Sequence, residues 1–290
     1  MHTYTLRWKN FELRLGQRTA IMGIVNVTPD SFSDGGRFYG ADAAVAQAER
    51  LARDGADLID IGGESTRPFA REVSAEEEIA RVVPIIQRLA ERISVPISID
   101  TTKADVAEAA LAAGASMIND ISALGMDARL AAVAARHQVP VVLMHMKGSP
   151  RTMQVDPVYD DLIGEVHGYL QAAMARAIAA GIAADHIIID PGIGFGKTLT
   201  HNLQLIQKLA LFADLGAPIL IGPSRKAFIR KILSDALQTE IAADRPEVET
   251  GTQATLAMAI VNGAHIVRVH DVANTRAMVR VLDAIRTVER

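Results

Sequence analysis

Short, continuous apolar runs recur along the chain, each followed by a polar residue and then by a longer stretch with helical spacing. The runs are Ile21–Val25, Leu58–Ile61, Ile97–Ile99, Ser116–Ile118, Val139–Met144, His186–Ile189, Ile219–Ile221 and Ile266–Val269. Unbroken rather than alternating hydrophobicity marks strands covered on both faces, as in parallel sheets. The stretches between them predict helices over 41–53, 74–92, 103–113, 127–137, 158–180, 201–213, 225–236 with 248–262, and 272–288. Four of the runs follow a Gly-Ala pair, at Gly55, Gly114, Gly216 and Gly263. Glycine there ends the preceding helix, because it enters the left-handed region without steric cost. Eight such βα units predict an α/β fold, a (β/α)8 TIM barrel. Thr3–Trp8 and Phe11–Leu15 alternate around Lys9-Asn10. They predict an N-terminal β-hairpin, residues 1–16, plugging the barrel's N-terminal end. No linker divides the chain, so 1–290 is expected to form a single barrel domain. A doubly wound open sheet is the alternative; it would need a dinucleotide fingerprint that the chain lacks.

Composition narrows the functional classes. Hydrophobic residues make up 49% of the 290, enough for a large core, while aromatics at 4% argue against stacking platforms for single-stranded nucleic acid. A net charge of −4 argues against nucleic acid or an anionic membrane as partner. The absence of cysteine excludes disulfides, thiolate metal sites and a cysteine nucleophile, and fits a reducing compartment. Residues 1–16 hold no apolar core of signal-peptide length, and no stretch is long enough to span a bilayer. A cytoplasmic enzyme is the expectation.

Barrel enzymes work at the C-terminal ends of their strands, so the residues after each run carry the chemistry. They read Asn26, Gly62 to Arg67, Asp100, Asn119-Asp120, His145, Asp190, Ser224-Arg225-Lys226 and Arg268-Val269-His270. Two sets separate by residue type. Asn26, Thr66, Arg67, Arg268 and His270 supply donors and an amide, as an anionic phosphate group requires. Asp100, Asn119, Asp190 and Lys226 mix carboxylates with donors. That set suits a flat heterocycle with a guanidine-like edge, because a carboxylate pairs with two adjacent N–H groups. The run Asp190-Pro191-Gly192-Ile193-Gly194-Phe195-Gly196-Lys197-Thr198 imitates a phosphate loop, but Pro191 stands where a Walker A glycine is needed. Its glycines are read as bringing backbone close to a flat ligand, with Phe195 packing nearby. The histidines at 2, 137, 167, 186, 201 and 265 read as structural, and His145 is left open between a site role and packing. Glu76-Glu77-Glu78 reads as complementing a helix dipole. Asp60 points inward on its strand with no assigned role.

These motifs, in this order, resemble the dihydropteroate synthase family of pterin-binding barrels. The matching stretches are Met22 to Gly36, Gly62 to Pro68, Ser98 to Thr101, Ile118 to Asp120, Met144 to Met146, Asp190 to Lys197, Ser224 to Lys226 and Arg268 to Val272. The resemblance implies a transferase of folate biosynthesis. It would join 6-hydroxymethyl-7,8-dihydropterin pyrophosphate to p-aminobenzoate, with Mg²⁺ assistance and release of pyrophosphate. It implies that Asp190 and Asn119 bind the amino-pyrimidinone edge, that Asp100 stabilises positive charge, and that Lys226 contacts the carbonyl side. Arg268 would lie over the ring and reach the phosphates, with Met144 and Phe195 packing nearby. Thr66, Arg67, Asn26 and His270 would form the pyrophosphate set, with Mg²⁺ on Asn26 and Asp30 as a further metal candidate. Ser224, expected at a helix start, would take the aminobenzoate carboxylate, with Phe32 and Pro68 as loop-borne parts of that pocket. The catalytic group would be Asp100, Lys226, Arg268 and Arg67. A homodimer through the last helices is also implied. Phe69 stands where the family usually has a small residue, and Pro223 where a small or aliphatic one is common, both near the second pocket. The rival readings are a non-catalytic pterin-binding paralogue and a methyltetrahydrofolate methyltransferase-like barrel.

Overall fold

The structure is a computed structural model that describes residues 2–28, 36–66 and 71–288. A hairpin, β1 (Tyr4–Trp8) and β2 (Phe11–Leu15), pairs antiparallel from Tyr4↔Leu15 to Trp8↔Phe11. The barrel strands are β3 (Ala20–Asn26), β4 (Leu58–Gly62), β5 (Ile97–Asp100), β6 (Met117–Asp120), β7 (Val141–Met144), β8 (Ile187–Asp190), β9 (Leu220–Ile221) and β10 (Ile266–Val269). Their order is β8-β7-β6-β5-β4-β3-β10-β9, every pair parallel. The ring closes through an isolated parallel bridge, Ile189↔Ile219, just ahead of β9. Nearly every strand residue is buried, as expected of strands with side chains inside the barrel on one face and helices on the other.

The helices are α1 (Gly36–Arg53), α2 (Ala75–Ala90), α3 (Ala104–Ala112), α4 (Leu130–His137), α5 (Leu162–Ala179), α6 (Leu199–Gln207), α7 (Ala227–Leu237), α8 (Pro246–Val261) and α9 (Val272–Thr287). Gly55, Gly114, Gly216 and Gly263 all have positive φ, as the Gly-Ala repeat requires. Boundaries move where local chemistry decides. Helix α5 starts at Leu162 rather than 158, because Asp161 accepts from Gly164 N at 3.1 Å and caps it there. The stretch expected as one helix over 201–213 divides into α6, opened by a Thr198–His201 capping box, and a 3-10 turn at Leu209–Leu215.

The hairpin covers the N-terminal end of the barrel. Leu6, Trp8, Leu13 and Leu15 face inward and are buried. Its polar links all run to residues just ahead of strands. Lys9 Nζ donates to Ala115 O at 3.1 Å, and the His186 ring meets Arg7 O at 2.9 Å. His265 accepts from Ile219 N through Nδ1 at 3.1 Å, so Nε2 carries the proton and donates to His2 O at 3.1 Å. His186 and His265 are structural, as expected.

Candidate active site

Register brings the polar strand ends together. Asn26 pairs with Gly62, Gly62 with Asp100, and Asp100 with Asn119, a row across four neighbouring strands at the C-terminal mouth. Gly62 contributes no side chain to that row, which leaves an opening beside Asp100. Further round the barrel, on β7 and β8, Met144 pairs with Asp190. Arg268, on β10, reaches across β3 to bind two carboxylates. Its Nε donates to Asp60 Oδ2 at 2.6 Å and its Nη2 to Asp100 Oδ2 at 2.7 Å. Asn119 Nδ2 donates to the same Asp60 oxygen at 2.9 Å. The expectation that Asp100, Asn119 and Arg268 converge is met, and the group that joins them is Asp60.

Asp190 and Lys226 form the other half. Asp190 Oδ1 accepts from Gly192 N at 2.7 Å, and Oδ2 has no hydrogen bond among the described residues. Lys226 Nζ donates to the Ile193 carbonyl and lies 4.3 Å from the centre of the Phe195 ring. Burial pushes the Asp190 carboxyl up, against the opposing pull of Lys226. Burial pushes Lys226 down to about 7, with Asp190 acting the other way. Burial also pushes Asp100 up to about 7, with Arg268 opposing and Asp60, Glu78 and Asp120 adding to the rise. Beside these groups Ile121, Met144, Met146 and Met153 form a small apolar cluster against which Phe195 packs. An apolar surface edged by acceptor and donor groups is built for a flat polar heterocycle.

The glycine-rich loop does something different from the expectation. At Gly192, φ is +71° and a Cβ would run into the His145 carbonyl. The glycine therefore lets this loop pass close to the protein's own loop after β7, rather than to a ligand. His145 itself is buried, with Nδ1 2.9 Å from Lys197 Nζ and its ring edge-on to Tyr169. Burial pushes it down to about 3, with Lys197 adding to the fall, so it packs as a neutral ring beneath the loop.

Ser224 and His270, expected in different subsites, are hydrogen-bonded to each other: Ser224 Oγ lies 3.0 Å from His270 Nδ1. Ser224 does not start α7. The cap position is Lys226, preceded by Arg225 at φ +59°, whose N–H is held by Thr252 Oγ1 at 3.1 Å. The expectation of a capping hydroxyl fails because the turn through Arg225 sets the helix back by two residues. Pro223 is buried there, its carbonyl accepting from Lys226 N at 3.1 Å. Thr66 lines a cavity of about 220 Å³ together with Asp100, Thr101, Lys103 and Arg151. Phe32, Asp30, Arg67, Pro68 and Phe69 lie outside the described residues.

Other buried groups were not anticipated. Glu78, read as complementing a helix dipole, is 1% exposed and meets Lys103 Nζ at 2.6 Å. Lys103 also meets Glu64 at 2.6 Å, and Glu64 accepts from Val73 N at 3.0 Å, tying together the two ends of the loop that carries Thr66. Asp120 folds back on its own loop, accepting from Ser122 N at 2.8 Å and Leu124 N at 2.5 Å, and so holds Ala123 and Leu124 at positive φ. A charged residue inside a doubly covered strand signals such burial, but sequence does not name its partner.

A barrel whose mouth sets carboxylates, an amide and two cations beside a sulfur-rich apolar surface has the makings of a heterocycle-binding enzyme. The family described as "Pterin binding enzyme" matches residues 22–270, and the chain belongs to it. Among its relatives, the dihydropteroate synthase of Synechocystis sp. is 49% identical over 93% of this chain and 91% of its own. The dihydropteroate synthase of Xanthomonas albilineans, solved with 4-aminobenzoic acid, superposes with a TM-score of 0.90 at 43% identity, covering 99% of this chain and 100% of that one. That of Yersinia pestis, solved as a sulfonamide drug complex, gives 0.90 at 42% identity over 98% and 100%. The activity of this chain is that of the dihydropteroate synthases, transferases of folate biosynthesis that release pyrophosphate. No helix among the described residues is long and apolar enough to cross a membrane.

Proposed function

We propose that the mouth of this barrel binds 6-hydroxymethyl-7,8-dihydropterin pyrophosphate and p-aminobenzoate and joins them through the residues described above. The observation that carries this reading is the unbonded Asp190 oxygen beside Lys226, at the edge of the methionine and phenylalanine cluster. Asp190 accepts from the ring N–H and exocyclic amino group, and Asn119 meets the neighbouring edge. Lys226 donates to the carbonyl side. As the C–O bond breaks, its electron pair leaves with pyrophosphate, and Asp100 faces the positive charge shared by the ring. The aminobenzoate nitrogen then bonds to that carbon and sheds a proton. Arg268 stacks on the ring, and Thr66 and His270 bind the phosphates, a role assigned to Arg67 as well. Ser224 takes the aminobenzoate carboxylate, and Phe32 and Pro68 are assigned to the same substrate.

Asn26 suits Mg²⁺. Its side-chain amide has no hydrogen bond among the described residues and stands at the end of β3, in the row with Asp100. The described residues contain no cluster of three metal-binding acids or histidines. Mg²⁺ takes oxygen ligands, and Asn26 would hold it through its amide oxygen. Asp30 is the second candidate. When bound, the ion supplies charge neutralisation for the leaving group.

We further propose a single-domain, cytoplasmic homodimer. Met258 and Val261 of α8 and Val281 and Ile285 of α9 are more than half exposed, an apolar face of the kind buried between subunits. The test of the function is direct. Purified protein with Mg²⁺ and both substrates should yield dihydropteroate and pyrophosphate, and chelation should stop it. Pterin binding without product would instead identify a non-catalytic binder.

A further inference from the structure

Asp60 is a buried acid at the mouth to which the proposed reaction gives no task. It lies in the middle of β4, fully buried and two residues before Gly62, hence on the same face of the strand. Its Oδ2 is shared by Asn119 Nδ2 at 2.9 Å and Arg268 Nε at 2.6 Å, and its buried Oδ1 has no hydrogen bond among the described residues. A buried carboxylate is costly unless paired, and an apolar residue would pack there more cheaply. We propose that Asp60 is a positioning residue that orients two ligand-reading side chains at once, turning the Asn119 amide and fixing the plane of the Arg268 guanidinium. The inference rests on the pterin reading of the site and adds to it.

The amide orientation follows from simple chemistry. A carboxylate paired with a guanidinium accepts and does not donate, so the nitrogen of Asn119 must face Asp60. The Asn119 oxygen and its second N–H are then left for the ligand. An acceptor beside a donor matches an amino-pyrimidine edge, where a ring nitrogen accepts and a neighbouring N–H donates. Arg268 is fixed in the same way. Asp60 of β4 holds Nε and Asp100 of β5 holds Nη2, so two strands set the plane that a flat ring can stack on. Glu78 of α2 and Asp120 of β6 also face Asp100, and Asp190 of β8 acts on Arg268. Among these acids Asp60 is the one bonded to both reading side chains.

Asp60→Asn keeps the shape and removes the charge. With its fold checked by circular dichroism and melting, we expect kcat/KM for the pterin substrate to fall roughly 100-fold, the effect of misplacing a reacting partner by about 1 Å. Pterin affinity should weaken with it. The acid limb of the kcat/KM profile should also move to lower pH, because one of the negative charges that raise Asp100 is gone. Wild-type kinetics, or a slower enzyme whose acid limb and pterin affinity are unchanged, would overturn the proposal. If the variant does not fold, the ligand-free wild type carries the test. The Arg268 Nε proton, assigned by its loss in Arg268→Lys, should exchange slowly with solvent in 15N NMR, and fast exchange would overturn the proposal. A wild-type protein that bound no pterin would sink the functional reading instead, leaving the exchange measurement to judge Asp60.

Discussion

The two ends of this barrel are made from the same strands, yet they are closed by opposite means. At the N-terminal end a hairpin lays Leu6, Trp8, Leu13 and Leu15 against the strands, and its polar links are a few side-chain bonds to main-chain carbonyls. At the C-terminal end Asp60, Asp100, Asn119, Asp190, Lys226 and Arg268 are gathered into a small volume. Ionisable groups there are driven away from their ordinary protonation ranges. The first end gains stability from apolar burial. The second gives stability up, because desolvated charges repay their cost only through one another and through a ligand. Tolerance to substitution should therefore differ in kind, not only in degree.

The largest effect that separates the ends is on folding. Trp8→Ala removes a large buried side chain at the hairpin end and should cost about 3–5 kcal/mol in denaturant unfolding. Its kcat/KM at a temperature where it is folded should match wild type. Trp8→Phe should lose much less, since the buried Trp8 Nε1 has no hydrogen bond among the described residues.

At the mouth the effect is on protonation. Activity needs Asp100 charged, so it rises with pH as Asp100 loses its proton near 7. It needs Lys226 protonated, so it falls as Lys226 loses its own near 7. The kcat/KM profile should be a bell peaking near neutrality. Lys226→Arg keeps its charge at every accessible pH. It should lose roughly 10-fold in kcat/KM, about the worth of one charge-assisted hydrogen bond, while the alkaline limb disappears and the acid limb stays. An alkaline limb that survives would assign it to another group. The smallest effect belongs to the hairpin surface. Arg7 pairs with Glu12 in the open, and Arg7→Ala should leave both melting and activity unchanged within error.

How much of this was legible before the structure follows the same divide. The strands, the hairpin and the helix-ending glycines were readable because their signals are local: unbroken apolar runs, alternation, and Gly-Ala pairs that close three helices and one 3-10 turn. The site residues were readable as residues, since strand ends are where barrels place chemistry, and the family resemblance ordered them. Their partners were not. Asp60 and Arg268 are 208 positions apart and meet only because β3 carries the register between β4 and β10. Glu78 looked like a helix-start acid, and only the approach of Lys103 from the start of α3 makes it the buried member of a triad with Glu64. Ser224 looked like a helix cap, and the positive φ of Arg225 displaced it. Each miss is a long-range or backbone effect that spacing does not encode.

The central claim is that the C-terminal mouth reads the pterin through Asp190. Titration calorimetry with the dihydropterin substrate analogue tests it on Asp190→Ala beside Trp8→Ala, both confirmed as folded. Asp190→Ala should lose roughly 100-fold or more in affinity, as expected when a carboxylate facing two N–H donors is removed, while Trp8→Ala binds like wild type. Unchanged affinity in Asp190→Ala would contradict the account.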